Sequence, residues 1–398
     1  MLNGPFSPWP LYTQEESNAV SRILLSNKVS YWTGNQCREF EAEFAEFTGS
    51  EYAISVSNGT TALDLALIAL DIGEGDEVIV TSRTFLASVS SIVISGATPV
   101  FADVSLETQN ITAASITNVM TKKTKAIVCV HLAGWPCDMD PIMQLAEENS
   151  LFVIEDCAQA HGARYKGRSV GSIGHIGAWS FCQDKIMTTG GEGGMVTTSD
   201  RELWSRMWSY KDHGKSWEAV FMRQHPPGFR WVHESFGTNW RMTELQAVIG
   251  RLQLARMKDW NVQRFSNATA IWSAAQSLNG LRVPNLNCDS CPGNCGPSNG
   301  CDHAAYKCYV FVEGNSADRD DIMADINERG VPCFSGSCSE VYLEKAFDAT
   351  DFRPDKRLPN AKELGETSLM FLCHPTLTAG EIQKTCDVLT DVVTEHFK

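Results

Sequence analysis

Phe152-Val153-Ile154-Glu155-Asp156-Cys157-Ala158-Gln159-Ala160-His161-Gly162 is the stretch that decides the fold. Three apolar residues run without alternation into two carboxylates, and a turn of small residues follows. A strand buried on both faces has this composition, and in an open α/β sheet the residue at its carboxyl end faces the ligand crevice. Asp156 holds that place. Working outward, Tyr52–Val56, Glu77–Thr81, Pro99–Asp103 and Ala126–Val130 are further short β-rich runs, separated by helix-length segments such as the one that Thr61–Leu67 opens. The alternation predicts an α/β fold, a mostly parallel sheet with helices on both faces. Beyond Trp240 the pattern changes. Met242–Asp259 carries apolar residues at helical spacing, as one long helix would, and from about residue 260 helix, strand and helix alternate as in a smaller α+β domain. The expected division is a large domain with an N-terminal arm at 1–255 and a small C-terminal domain at 256–398. A loop rich in Gly, Pro, Asn and Cys lies at 285–302.

With 398 residues, 43% hydrophobic and 20% charged, the chain has the composition of an ordinary globular protein with room for two domains. A net charge of -15 speaks against nucleic acid and anionic membranes as partners, since both call for cationic patches. No apolar run approaches the roughly 20 residues that span a bilayer, and Met1-Leu2-Asn3-Gly4-Pro5 does not begin like a secretory signal. A cytoplasmic location is expected. The 14 cysteines are then expected to be reduced, most of them, like Cys129 and Cys373, small buried hydrophobes. Four cluster instead. Cys288, Cys291, Cys295 and Cys301 have the spacing C-x2-C-x3-C-x5-C, with His303 close behind. Thiolates this close could hold a structural zinc ion or an Fe–S cluster, or stand as plain reduced thiols.

Two other segments bear chemistry. Ser57-Asn58-Gly59-Thr60-Thr61 lies between a strand and a helix, where free N–H groups and hydroxyls suit a phosphate. Taken alone, a plain helix cap is the commoner reading of such a turn. Ala178-Trp179-Ser180-Phe181-Cys182-Gln183-Asp184-Lys185 ends in a lysine ahead of the glycine-rich turn Gly190-Gly191-Glu192-Gly193-Gly194. A lone lysine is usually a solvated charge. Its meaning here comes from the phosphate-type turn and the strand-end carboxylate that precede it. A lysine that condenses with a carbonyl needs both neighbours, and a carboxylate such as Asp156 can keep a pyridinium nitrogen protonated so that the ring acts as an electron sink. Together these parts suit pyridoxal phosphate (PLP), while Asp156 on its own reads at least as well as a helix N-cap.

In the motifs Asn58-Gly59-Thr60, Gly75–Ile79, Thr84-Phe85, Pro99–Asp103, Glu155–Ala160, Ser180–Lys185 and Gly237-Thr238-Asn239-Trp240-Arg241-Met242 the chain resembles the DegT/DnrJ/EryC1/StrS sugar aminotransferases, which are fold type I PLP enzymes. The resemblance covers nearly the whole chain. It implies that Lys185 is the Schiff-base lysine and catalytic base, and that Asp156 pairs with the pyridine nitrogen. Phe85 would stack on one face of the ring, with Gln159 near the other, and Gly59, Thr60 and Ser180 would hold the phosphate. Asn239 would reach into the neighbouring subunit's site in a homodimer. The implied reaction moves an amino group from an amino-acid donor, glutamate, to a keto sugar, nucleotide-linked or a free keto sugar acid, in amino-sugar biosynthesis. Relatives with histidine at the lysine position dehydrate their substrate, so Lys185 favours transamination over a PLP-dependent dehydratase or deaminase. The acidic charge and the lack of a helix-turn-helix pattern argue against a DNA-binding regulator that keeps the fold only as a non-catalytic PLP sensor. For the acceptor, Trp32-Thr33-Gly34 falls where the family often has a substrate-facing turn. The aromatic segment 211–234 adds Arg223 and Arg230, which could clamp a carboxylate or pyrophosphate, or lie solvated on a surface loop.

Overall fold

The structure, a computed structural model, describes residues 6–285, 300–313 and 316–397. Seven strands make the large sheet: β1 (Tyr52–Val56), β2 (Glu77–Thr81), β3 (Thr98–Ala102), β4 (Thr124–Val130), β5 (Phe152–Asp156), β8 (Ile176–Ser180) and β9 (Gly194–Thr198), with the two-residue hairpin of β6 (Arg164–Tyr165) and β7 (Arg168–Ser169) beside it. Their order is β1-β9-β8-β5-β4-β2-β3. All pairings from β3 to β8 are parallel, and only β9 runs against its neighbours. The strands are short and buried along nearly their whole length, as the unbroken apolar runs predict.

Successive residues of a strand face opposite sides, so Glu155 and Asp156 serve different ends. Glu155 is fully buried and accepts the N–H groups of Gly171 at 2.8 Å, Ile173 at 2.8 Å and Gly174 at 2.6 Å. His131 completes the set. Its Nδ1 accepts the Cys137 N–H at 3.0 Å, so the ring proton sits on Nε2 and is donated to Glu155 at 2.9 Å. Burial alone would raise the Glu155 pKa, but these bonds win and hold it below the usual carboxylate range. The carboxylate thus pins the loop that leads into β8. Glu155→Ala would strip a buried anion from its partners and is expected to cost about 3–5 kcal/mol of stability, measurable as a lowered urea midpoint.

A second, antiparallel sheet follows, in the order β10 (Leu281–Arg282), β11 (Cys308–Val312), β13 (Ser368–Phe371), β12 (Cys333–Phe334). Helices Met257–Gln276 and Ser316–Glu328 pack against it, and Ala379–His396 packs on both helices. Both faces of β11 are covered. Cys308, Val310 and Val312 join the core under these helices, while Tyr309 and Phe311 pack with Val104 and Leu132 from the large sheet's side. That second contact sets the small sheet against the carboxyl ends of the large one.

The single long helix expected over Met242–Asp259 is two helices, Glu244–Leu254 and Met257–Gln276. At the corner the Arg256 N–H donates to Gln253 O at 3.0 Å, tightening the last turn. The Arg256 side chain is tied to Glu15 at 2.7 Å and Glu16 at 2.6 Å. A tertiary ion pair fixes the break, and helical periodicity carries no trace of it. The proposed boundary at 255/256 falls in this corner. Among the described residues no helix is long and apolar enough to cross a membrane.

Candidate active site

The carboxyl ends of β5 and β8, the start of helix Gly59–Ala69, the loop after β2 and segments of the small sheet enclose a cavity of about 770 Å³. Gly59, Thr60, Phe85, Asp156, Gln159, Ser180 and Lys185 all line it. Residues from four separate stretches of sequence therefore meet at one place.

At the helix start, Asn58 Oδ1 accepts the Thr61 N–H at 2.9 Å. The first N–H groups of a helix have no acceptor within it. With Thr61 capped, those of Gly59 and Thr60 remain as donors at the cavity wall, so the turn is a cap and an anion cradle at once. A Cβ on Gly59 would lie 2.5 Å from Ser180 Cβ. Only glycine lets this helix end approach β8 so closely. After Lys185 the chain passes Gly190 and Gly191 at φ of 85° and 114°, a conformation that glycine adopts without strain.

Asp156 is 5% exposed and is not a helix cap. Its Oδ2 accepts the Ser88 hydroxyl at 2.7 Å, and Ser88 in turn pairs with Thr84 at 2.8 Å. Its Oδ1 accepts the Ala158 N–H at 3.1 Å. Burial raises the pKa of Asp156, while the bonds from Ser88 and Ala158 and the charge of Lys185 pull against that rise. A cation placed against this carboxylate would be strongly favoured. Lys185 has a side chain 17% exposed, with Nζ 3.6 Å from Asp184 Oδ1 and 5.2 Å from the centre of the Tyr306 ring. The N-terminal arm braces it, since the Trp9 indole N–H donates to the Lys185 carbonyl at 2.9 Å. Gln159 is buried and its Oε1 accepts the Ala133 N–H at 2.9 Å. Phe85, in contrast, leaves 71% of its surface open at the cavity.

The sequence reading missed Ser88, Asp184, Tyr306 and Lys307. Tyr306 donates its hydroxyl to Asp184 Oδ2 at 2.5 Å, and burial followed by that neighbouring charge pushes the phenol well above its ordinary pKa. Asp184 stands beside Lys185 in the chain and was within reach of the motif. Tyr306 and Lys307 are brought in only by the docking of the small sheet.

Other candidates lie elsewhere. Trp32 donates its indole N–H to Asp212 at 2.8 Å and sits beneath Lys215. Thr33 is exposed, and Gly34 is closed against Glu244, whose carboxylate would meet a Cβ there. Arg223 pairs with Glu234 at 2.7 Å on the surface, and Arg230 is exposed. Asn239 is exposed too, in a bridge with Asp212. None of the six lines the cavity of its own chain. Of the cysteine cluster, Cys288, Cys291 and Cys295 lie outside the described residues. Cys301 is buried, and its sulfur accepts the Lys166 N–H at 3.2 Å. His303 is held between the rings of Trp135 and Trp272.

Comparison with known proteins agrees with this geometry. The family model for the DegT/DnrJ/EryC1/StrS aminotransferase family matches residues 10–390. A solved structure of the aminotransferase from Psychrobacter cryohalolentis is 62% identical, covering 99% of this chain and 100% of that one, with a TM-score of 0.94. The GDP-perosamine synthase of Caulobacter vibrioides is 46% identical over 362 residues, 89% of each chain. That of Escherichia coli O157:H7 is 47% identical over 251 residues, which are 63% of this chain and 66% of that protein. The chain belongs to the DegT/DnrJ/EryC1/StrS aminotransferase family and is a PLP-dependent enzyme of that class.

Proposed function

We propose that this protein transfers an amino group from glutamate to the ketone of a GDP-linked sugar, with Lys185 as the group that moves the proton. The observation that carries the reading is the meeting of a lysine, a buried carboxylate and a phosphate-type helix start in one cavity. The identity to two GDP-perosamine synthases supports the choice of nucleotide.

The residues fit PLP. Gly59 and Thr60 offer N–H groups, and Ser180 a hydroxyl, for its phosphate, and a protonated ring nitrogen would offset the burial of Asp156. Bound there, the cofactor supplies the electron sink for the carbanion that forms when the amine-bearing carbon loses its proton. In this reading Lys185 would hold the cofactor. Its Nζ would take the proton from the donor's Cα and hold it for return. Asp156 would keep the ring nitrogen protonated, with Ser88 fixing the carboxylate. Phe85 would cover one face of the ring and shut out water, and Gln159 would lie near the other. The same groups run in reverse on the sugar ketone, so one lysine serves both halves of the reaction.

Gly59→Ala would force the helix start away from β8 and is expected to weaken PLP binding by about tenfold or more, the worth of one charge-assisted hydrogen bond. Titration of the apoprotein with PLP measures it.

The reading includes a homodimer. Met222, Phe229, Trp231 and Phe236 are 74%, 75%, 80% and 99% exposed, in the segment that leads to Asn239. So much open apolar surface in one segment marks an interface, and a second copy covering it would bring Asn239 to its neighbour's site. Phe236→Asp is expected to shift sedimentation toward the monomer and to reduce cofactor retention in the same preparation.

The acceptor is tested in reverse. Holoenzyme given GDP-perosamine and 2-oxoglutarate is expected to form glutamate at least about 100-fold faster than with a dTDP-linked amino sugar, the discrimination that unpaired buried polar groups can impose. Equal or faster use of the dTDP sugar would overturn the GDP assignment.

A further inference from the structure

A second cavity of about 230 Å³ lies beside the first and shares Asp184, Tyr306, Lys307, Gly336 and Met370 with it as walls. Its other walls include Trp9, Arg264 and His374. Arg264 is 1% exposed and rests on the Trp9 ring, its guanidinium carbon 4.6 Å from the centroid. Among the described residues, neither Nε nor Nη2 of Arg264 has a hydrogen-bond partner, and no carboxylate lies within ion-pair distance of Arg264 or Lys307. Burial pushes the Arg264 pKa down only to about 10, so it remains a cation at neutral pH. His374 is 3% exposed, shares a hydrogen bond with Thr376 at 2.9 Å through Nδ1, and leaves Nε2 unpartnered. Against two cations this chamber sets one carboxylate, Asp184, which is already engaged by Tyr306 and faces Lys185.

Buried charges are normally paired, because desolvation is costly otherwise. Two cations with no carboxylate at ion-pair distance, around a space that shares five wall residues with the reaction cavity, suit an anion that arrives with the substrate. We propose that this chamber is the subsite for a carboxylate of the amino donor, with Lys307 and Arg264 supplying the positive charge and His374 a neutral ring nitrogen. The subsite selects a dicarboxylic amino acid over a monocarboxylic one, because only the former has a second anion to place there while its amine meets Lys185. The inference deepens the proposed function and rests on glutamate as donor.

The test is calorimetric titration of the holoenzyme with glutarate, which has the two carboxylates of glutamate but no amine to react. Lys307→Gln is expected to weaken glutarate about tenfold, and Lys307→Arg to restore it to within about threefold, since charge and not shape is removed in the first and kept in the second. The KM for glutamate should rise in step, and the preference for glutamate over alanine should fall. A merely structural role would move both donors alike. Unchanged glutarate binding in Lys307→Gln, or equal losses for glutamate and alanine, overturns the proposal. Arg264→Lys adds a second reading if it folds, and the Lys307 pair decides without it. Binding of glutarate that depends on Lys307 in a holoenzyme that takes no amine from glutamate would keep the subsite and overturn the proposed function.

Discussion

Lys185→Ala is expected to slow amine transfer from glutamate by at least about 1000-fold, the scale of a lost general base. Lys185 leaves the end of the strand segment Ile176–Ser180 with its carbonyl held by Trp9 and its Nζ beside Asp184, so the amine is delivered to one place in the cavity. Lys307 also lines the cavity, but it sits on the small-sheet side, with its ammonium 4.7 Å from the Tyr306 ring. It is not expected to substitute. Rapid-mixing measurement of 2-oxoglutarate release separates the outcomes. A loss of less than about tenfold would mean that proton transfer is carried elsewhere. Lys185→Arg serves as the control, because it keeps the positive charge beside Asp184 yet supplies no free amine at neutral pH.

Asp156→Asn should lower the same rate by about 100- to 1000-fold, the cost of removing one preorganised electrostatic partner, and should do so without loss of fold. The asparagine oxygen can still accept from Ser88 and the shape is nearly unchanged. Stability should move the other way. Without cofactor, burial raises the folded-state pKa of Asp156 above its unfolded value. A carboxyl shifted in that direction contributes stability that is fully present below its unfolded pKa of about 4 and is lost as the pH rises through the folded value. Above its unfolded pKa the buried carboxyl therefore weakens the apoprotein relative to a neutral group of the same shape. Apoprotein with Asp156→Asn is expected to melt no lower than wild type at pH 7, and the rise in Tm on adding PLP should be smaller in the variant. An apo variant that melts well below wild type would show that Asp156 is chiefly structural.

How much of this was legible in the chain depends on distance along it. Asp156 and Lys185 each end or follow a short buried strand, and the Gly59 turn opens a helix directly after another, so a local pattern, the rule for strand ends and the family resemblance together pointed to them. Tyr306, Lys307 and Arg264 lie more than 75 residues beyond Lys185. Nothing local says which end of the small sheet meets the large one, because that depends on the face of β11 that packs against Val104 and Leu132. The helix break at Ala255 and Arg256 was hidden for the same reason, its cause being Glu15 and Glu16 at the other end of the chain. Trp32 reads in sequence as part of a substrate-facing turn, and in the fold Asp212 and Lys215 hold it. Arg223 reads as a free cation and finds its partner in Glu234, a local pair that composition cannot distinguish from an anion clamp.

The most direct test of the central claim counts product in a single half-reaction. Holoenzyme mixed with excess glutamate and no sugar should release one equivalent of 2-oxoglutarate per cofactor, lose its visible absorbance in step, and then stop until a keto sugar is added. Release of no 2-oxoglutarate, or continuous release without an acceptor, would contradict an aminotransferase built on Lys185 and Asp156.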